Sequence, residues 1–156
     1  MSESNWHRQV RKKYVKKLKM EFSDVFSSHS GKTDVDLFRG ESYRENHFSN
    51  ADIIVLNDKE KVIKIIEIES VLNPKKIFGI VLATHFSTIC RVKKVGDIKT
   101  KKHNYPIKDI ELKIVYKKPK DKAKDTEKIK IIKELADNLI DLSTGCVREL
   151  TIKEYI

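Results

Sequence analysis

Three acidic side chains in the middle of the chain carry the strongest chemical signal. In the run "ADIIVLNDKEKVIKIIEIES", residues 51–70, aliphatic residues dominate, yet Asp52, Glu67 and Glu69 lie inside it. A carboxylate in such surroundings must be paired, hydrogen-bonded or bound to a cation, or it gives up its charge. "ADIIVLN" and "VIKIIEIES" read as two strands joined by the loop Asp58-Lys59-Glu60-Lys61. If Asn57 pairs with Val62 across that loop, the ladder sets Asp52 directly opposite Glu67. Opposed residues share a face, with Cβ atoms about 4.5–5.5 Å apart. Glu69, two residues on, points to the same face beside Asn50.

Carboxylates converging on one face repel one another unless something positive lies between them. A hard divalent cation is the economical solution, because Mg²⁺ is held by one or two carboxylates while keeping water and substrate phosphate oxygens. Such an ion, Mg²⁺ or Mn²⁺, polarises a phosphodiester and lowers the pKa of a bound water, which is what hydrolysis of a nucleic-acid backbone needs. The competing reading is an ion-pair network in which Glu67 and Glu69 meet Lys64, Lys75 or Arg91 at a sheet edge.

The hairpin resembles the core of the PD-(D/E)xK nuclease superfamily, which includes restriction endonucleases and archaeal Holliday-junction resolvases. "ADIIVL" followed by "IIEIES" is similar to the core hairpin of those resolvases, and the likeness spans about residues 33 to 92. It implies Asp52 and Glu67 as metal ligands, the carbonyl of Ile68 as a third, and Glu69 as ligand or base. Two departures stand out. Asn50-Ala51 precedes the Asp where a Pro is usual, and Glu69 takes the place of the usual catalytic Lys. The superfamily's N-terminal helix often adds another acid, for which Glu21, Glu41 and Glu45 are the candidates. Superfamily members that cut both strands are often dimers, so a homodimer is expected from the resemblance.

The elements that must position these groups follow from periodicity. Asn5 to Phe26 reads as a basic amphipathic helix with an apolar stripe of Trp6, Val10, Tyr14, Leu18, Phe22 and Val25. Arg8, Arg11, Lys12, Lys16 and Lys19 fall on its other faces, and the first four are candidate nucleic-acid contacts. "SSHSGKT" ends the helix and resembles the tail of a P-loop, but Phe26 stands where the first Gly belongs and no strand precedes it, so that reading is set aside. "TDVDLF" reads as a strand. Asn73 as N-cap and Pro74 at the first position open a helix to about Val92, in which Gly79 permits close approach to the sheet. Lys75 and Lys76 sit in its first turn, where free N–H groups and two ammonium ions make a phosphate-binding element that can assume part of the missing Lys function. His85 reads as a core or surface histidine, since no partner is spaced for it.

Beyond this helix, "KKVGDIKTKKHNYPIK" is a Lys-rich connector and "DIELKIVYKK" a half-buried strand. "KPKDKAKDTEK" is a second, highly charged connector. Ile129, Ile132, Leu135, Ala136, Leu139 and Leu142 mark a C-terminal helix, Gly145 a C-cap, and "VRELTI" a last strand. The 109–156 stretch is thus strand, helix, strand. The order implies one α/β domain over 1–156, a sandwich with a central mixed sheet flanked by helices; the nuclease core resembles that arrangement, so a restriction-endonuclease-like fold is expected.

Composition agrees with a nucleic-acid partner. Lys and Arg number 33 against 23 Asp and Glu, a net charge of +10, and 39% of the residues are hydrophobic, enough for one core. Abundant Lys, Glu and Ile also fits a thermophile or an AT-rich genome. With no apolar leader and no apolar run of membrane-spanning length, a cytoplasmic protein without membrane contact is expected. Cys90 and Cys146, far from any CxxC spacing, read as reduced thiols, and structural zinc is not expected. Aromatic residues read as packing residues rather than a stacking stripe. Two functional classes stay open: a Mg²⁺-dependent endonuclease acting on DNA, and a catalytically inactive nuclease-fold module for nucleic-acid binding or assembly, with Glu69 as the dividing feature.

Overall fold

The computed structural model describes residues 3–28, 33–40, 47–94, 102–118 and 122–155. The chain runs α1 (Asn5–Lys19), β1 (Asp24–Ser27), β2 (Thr33–Phe38), β3 (His47–Asn50), β4 (Ile53–Leu56), β5 (Val62–Glu69), α2 (Pro74–His85), β6 (Ile89–Lys94), β7 (Lys102–Pro106), β8 (Ile110–Tyr116), α3 (Lys122–Leu142) and β9 (Val147–Glu154). Five strands form a main sheet in the order β1-β4-β5-β8-β9, and four form a second sheet in the order β3-β2-β6-β7. The main sheet is mixed. β1, β4 and β5 are antiparallel neighbours, whereas β5, β8 and β9 run parallel.

Both faces of the main sheet are covered, which is why β4 reads "IIVL" without alternation: all four residues are buried. Ile53, Val55, Ile66, Ile68 and Val115 pack under α1 with Val10 and Leu18. The opposite face, with Ile54, Ile65 and Leu112, shares one core with α2, α3 and the second sheet.

Several boundaries differ from expectation. α1 stops at Lys19 rather than Phe26, because Asp24–Ser27 leaves the helix to pair with β4, Val25 opposite Val55. Phe22 and Val25 still pack on the same core, so their spacing fits a helix and a turn-plus-strand alike. α2 ends at His85 rather than near Val92, since Ser87 hydrogen-bonds back to Thr84 and Ala83 and "ICRVKK" pairs with β2. β7 lies in a stretch that reads as a connector, and β3 in one that the pattern assigns to no element. Gly79 meets nothing within 4 Å at its Cβ position and faces open space rather than a close neighbour.

His85 anchors the join between α2 and the α3–β9 turn. The ring is buried; its Nδ1 accepts from Val147 N–H at 3.2 Å and its Nε2 lies 3.0 Å from Ser143 Oγ. Its backbone carbonyl accepts from Cys146 N–H at 2.8 Å. Gly145 passes so close that a Cβ there would overlap the His85 carbonyl and ring. The glycine is therefore needed for space rather than as the expected C-cap. Cys90 and Cys146 are free, buried thiols, both pushed up to about 12 by burial. No helix among the described residues is long and apolar enough to cross a membrane.

Candidate functional site

The hairpin register holds at its base and slips at its tip. Near the turn Asn57 N–H donates to Lys61 O and Leu56 pairs with Val62, one residue away from the expected pairing. A β-bulge that leaves Ile63 as the extra residue restores the ladder, so that Val55 pairs with Lys64 and Ile53 with Ile66. One step further, Asp52 falls opposite Glu67, as expected.

Asp52 is held by backbone. Its Oδ2 accepts from Ile68 N–H at 2.7 Å, its carbonyl accepts from Ser28 N–H at 2.8 Å, and Ala51 N–H donates to Val35 O at 2.8 Å. The N–H and C=O of one strand residue point to the same side, so the Ile68 carbonyl also turns toward Asp52, beyond the last β4–β5 pair. Glu67 is 5% exposed and Glu69 6%. Burial first, then the charge of Asp52 and a hydrogen bond with it, then Glu69, push the Glu67 carboxyl well above the usual carboxylate range. Its Oε1 has no hydrogen-bond partner. Glu69 is also raised by burial, against the opposing pull of Lys76, whose Nζ sits 2.8 Å from Glu69 Oε2. Lys76, not Lys64, Lys75 or Arg91, is thus the lysine on the acidic pair; Lys64 pairs with Glu111 and Arg91 with Asp36.

These groups line an open cleft of about 800 Å³ between the base of the hairpin, the second sheet and the start of α1. Two cleft residues at the N-terminal end, His7 in the first turn of α1 and Glu3 just ahead of it, escape the sequence reading. His7 Nε2 lies 3.2 Å from Asp52 Oδ2, and His7 Nδ1 lies 2.7 Å from Glu3 Oε1. The hydrogen bond to Asp52 raises His7 to about 9, against the opposing effect of burial and with help from Glu3. Burial alone would raise Glu3; hydrogen bonds from Arg11 and His7, with their charges, outweigh it and hold that carboxyl at about 2. Ser4 as N-cap, accepting from His7 N–H, is legible in the sequence; that this helix end lands on Asp52 is not.

The other expected residues separate into groups. Arg11 is corrected: it is 3% exposed and gives Nε and Nη2 to the two Glu3 oxygens at 2.8 and 3.2 Å, so it cannot greet a phosphate. Arg8, Lys12 and Lys16 are exposed on α1. Lys75 is exposed outside the cleft lining, whereas Lys76 lines it. The α2 N-terminus is capped from within, since Asn73 Oδ1 accepts from Lys75 and Lys76 N–H at 3.0 and 3.4 Å; those two amides are not free for a phosphate. Glu21 is exposed past the far end of α1 and does not line the cleft, and Glu41 and Glu45 lie outside the described residues.

Among the described residues no three His, Cys, Asp or Glu side chains are grouped as a metal ion would require. Instead, His7 sits on Asp52 and Lys76 on Glu69, one cationic group for each flanking acid. Glu67 between them has neither. Comparison with protein-family models, with curated proteins and with solved structures returned no match for this chain.

Proposed function

We propose that this chain is a metal-dependent nuclease that hydrolyses phosphodiester bonds in DNA, with Asp52, Glu67 and Glu69 as its acidic centre. The observation that carries the reading is Glu67: a buried carboxyl with an unpartnered oxygen, set against Asp52, at the floor of an open cleft. A strongly perturbed, incompletely partnered acid in a cleft is a candidate functional group. The donor chemistry, though not the present spacing of the side chains, suits Mg²⁺ or Mn²⁺. It is all oxygen: Asp52, Glu67 and the Ile68 carbonyl, with Glu69 as a further ligand or as base. When bound, the ion polarises the scissile phosphodiester and lowers the pKa of its water.

The chain's own groups do the positioning. Ile68 N–H fixes Asp52, Lys76 holds Glu69 at the mouth of the cleft, and the sheet prevents either from turning away. Lys76 stands ready to steady developing negative charge, the part a motif Lys otherwise plays. The restriction-endonuclease-like core belongs to the same proposal: α1, an antiparallel β4–β5 hairpin, and α2 before the parallel β8 are the elements such a core requires.

A second reading has its own support. His7 and Lys76 already neutralise Asp52 and Glu69 without any metal, as befits a nuclease-fold module that binds nucleic acid or assembles without cutting it. The deciding assay incubates supercoiled plasmid, linear duplex, single strands and a four-way junction with Mg²⁺ or Mn²⁺, wild type beside Glu67→Ala. Metal-dependent cutting that the substitution abolishes is the expected result. Absence of cutting on every substrate, with binding intact in both proteins, establishes the non-catalytic module instead.

A further inference from the structure

On the α1 side of the main sheet, away from the acidic cleft, a pocket of about 310 Å³ is lined by Lys13 and Lys17 of α1, Lys113 of β8, Lys153 of β9, and the rings of Tyr14 and Tyr155, with Glu154 the only acid. None of the four lysines is ion-paired among the described residues. Folding gathers them. Lys113 and Lys153 project from the parallel β8–β9 pair, and α1 lays Lys13 and Lys17 one turn apart across the same opening. Like charges brought together without counterions repel, and a chain keeps such an arrangement where an anion from outside completes it. Burial, then the neighbouring Lys64 and Lys153, push Lys113 below its ordinary value against the opposing pull of Glu111.

A row of aromatic rings continues from this pocket. Tyr14 and Tyr155 have centroids 6.1 Å apart, and Tyr155 meets Trp6 edge-on at 6.1 Å. All three rings pack partly on the α1 core, as the sequence indicates, yet stay half-exposed. Lys113 Nζ lies 5.2 Å from the Tyr14 ring centre and Lys117 Nζ 5.7 Å from that of Trp6. A cation over a partly exposed ring is held more weakly than a stacked base, so a base can take the ring and leave the ammonium to a phosphate. Trp6 directly precedes His7, so the row ends where the acidic cleft begins.

We propose that this basic and aromatic strip is a binding groove for one strand of nucleic acid, with phosphates seated in the lysine pocket and unstacked bases on Tyr14, Tyr155 and Trp6. Alternating cations and rings suit a strand whose bases are free, whereas in a duplex they are stacked on one another. Nucleic acid as ligand follows the reading above, but binding is measured in EDTA, where nothing is cut, so groove and catalysis fail separately.

Trp6 is the only tryptophan in the chain and therefore reports on the groove directly. The full-length protein is titrated in EDTA with an oligothymidylate of about twenty nucleotides, longer than a typical single-strand site. Saturable quenching of Trp6 is expected. Lys13→Glu with Lys17→Glu weakens binding about tenfold or more and lowers the salt slope by about 0.7 for each phosphate that is no longer neutralised. The control pair Lys128→Glu with Lys130→Glu, exposed on α3, changes the net charge equally and leaves affinity within about twofold, the limit set by screening over that distance. Circular dichroism confirms that both variants fold. Unquenched Trp6, an equal loss in the α3 pair, or duplex DNA bound as tightly as the single strand overturns the proposal.

Discussion

Two buried polar clusters in this molecule obey opposite rules. At the α2–α3 join, both ring nitrogens and the carbonyl of His85 have partners, and burial lowers its pKa so that it stays neutral. The one orphan nearby is the Thr84 hydroxyl, a neutral group whose burial is cheaper than that of a carboxylate. At the base of the hairpin, three carboxyl groups crowd together, Glu67 keeps an unpartnered oxygen, and the compensating cations come from residues bordering an open cleft. A satisfied cluster fixes structure. An unsatisfied one beside solvent is an arrangement that a bound ligand can complete.

The sharpest way to break the first cluster is Gly145→Ala, whose new methyl group must overlap the His85 carbonyl and ring. A loss of about 3 kcal/mol is expected in urea unfolding, as for overpacking against backbone that cannot retreat. Unchanged stability would show that the turn can yield to a methyl group after all. In the acidic cluster the expectation reverses. Glu67→Gln, which keeps shape and removes the acid, should leave stability unchanged or raise it by up to about 1 kcal/mol while metal-dependent cleavage disappears. If instead it destabilises as strongly as Gly145→Ala, the carboxyl is structural and the contrast collapses.

Acid is the gentlest probe. Glu3 has a folded pKa of about 2 against an ordinary 4.5, so the stabilisation it supplies is complete above pH 4.5 and drains away as pH falls toward 2. Urea midpoints of the wild type should therefore decline over that window, and Glu3→Gln should flatten its share of the slope. An identical acid limb in the variant would remove Glu3 from the account.

The hairpin and its acids are legible because their information is local: aliphatic runs, a polar turn and a period of two. The Asn73-Pro74 start of α2, the body of α3 from Ile129 and the closing strand are legible for the same reason, whereas α3 itself begins at Lys122, inside the stretch that reads as a charged connector. Of the second sheet only β2, "TDVDLF", is legible. β3 is "HFSN" and β7 is "KHNYP", polar segments that become strands through pairing with β2 and β6, which no local pattern announces. Arg11 misleads in a related way, since along the helix it looks like one cation among many. Only the return of Glu3 and the arrival of Ser27 make it a buried one. His7 joins the cleft through the same tertiary encounter, out of reach of any spacing rule.

The bulge at Ile63 has a meaning for how this protein can change. In an unbroken ladder, adding or deleting one residue in the turn would flip every side chain below it to the other face. Here the mismatch between tip and base is confined to Leu56, Val62 and Ile63, while the pairs from Val55 downward keep step. The hairpin thus works as an expansion joint. A one-residue mismatch at its tip, where the Asn57 side chain gathers the turn amides of Lys59 and Lys61, is absorbed there, and the acids at its root stay in line.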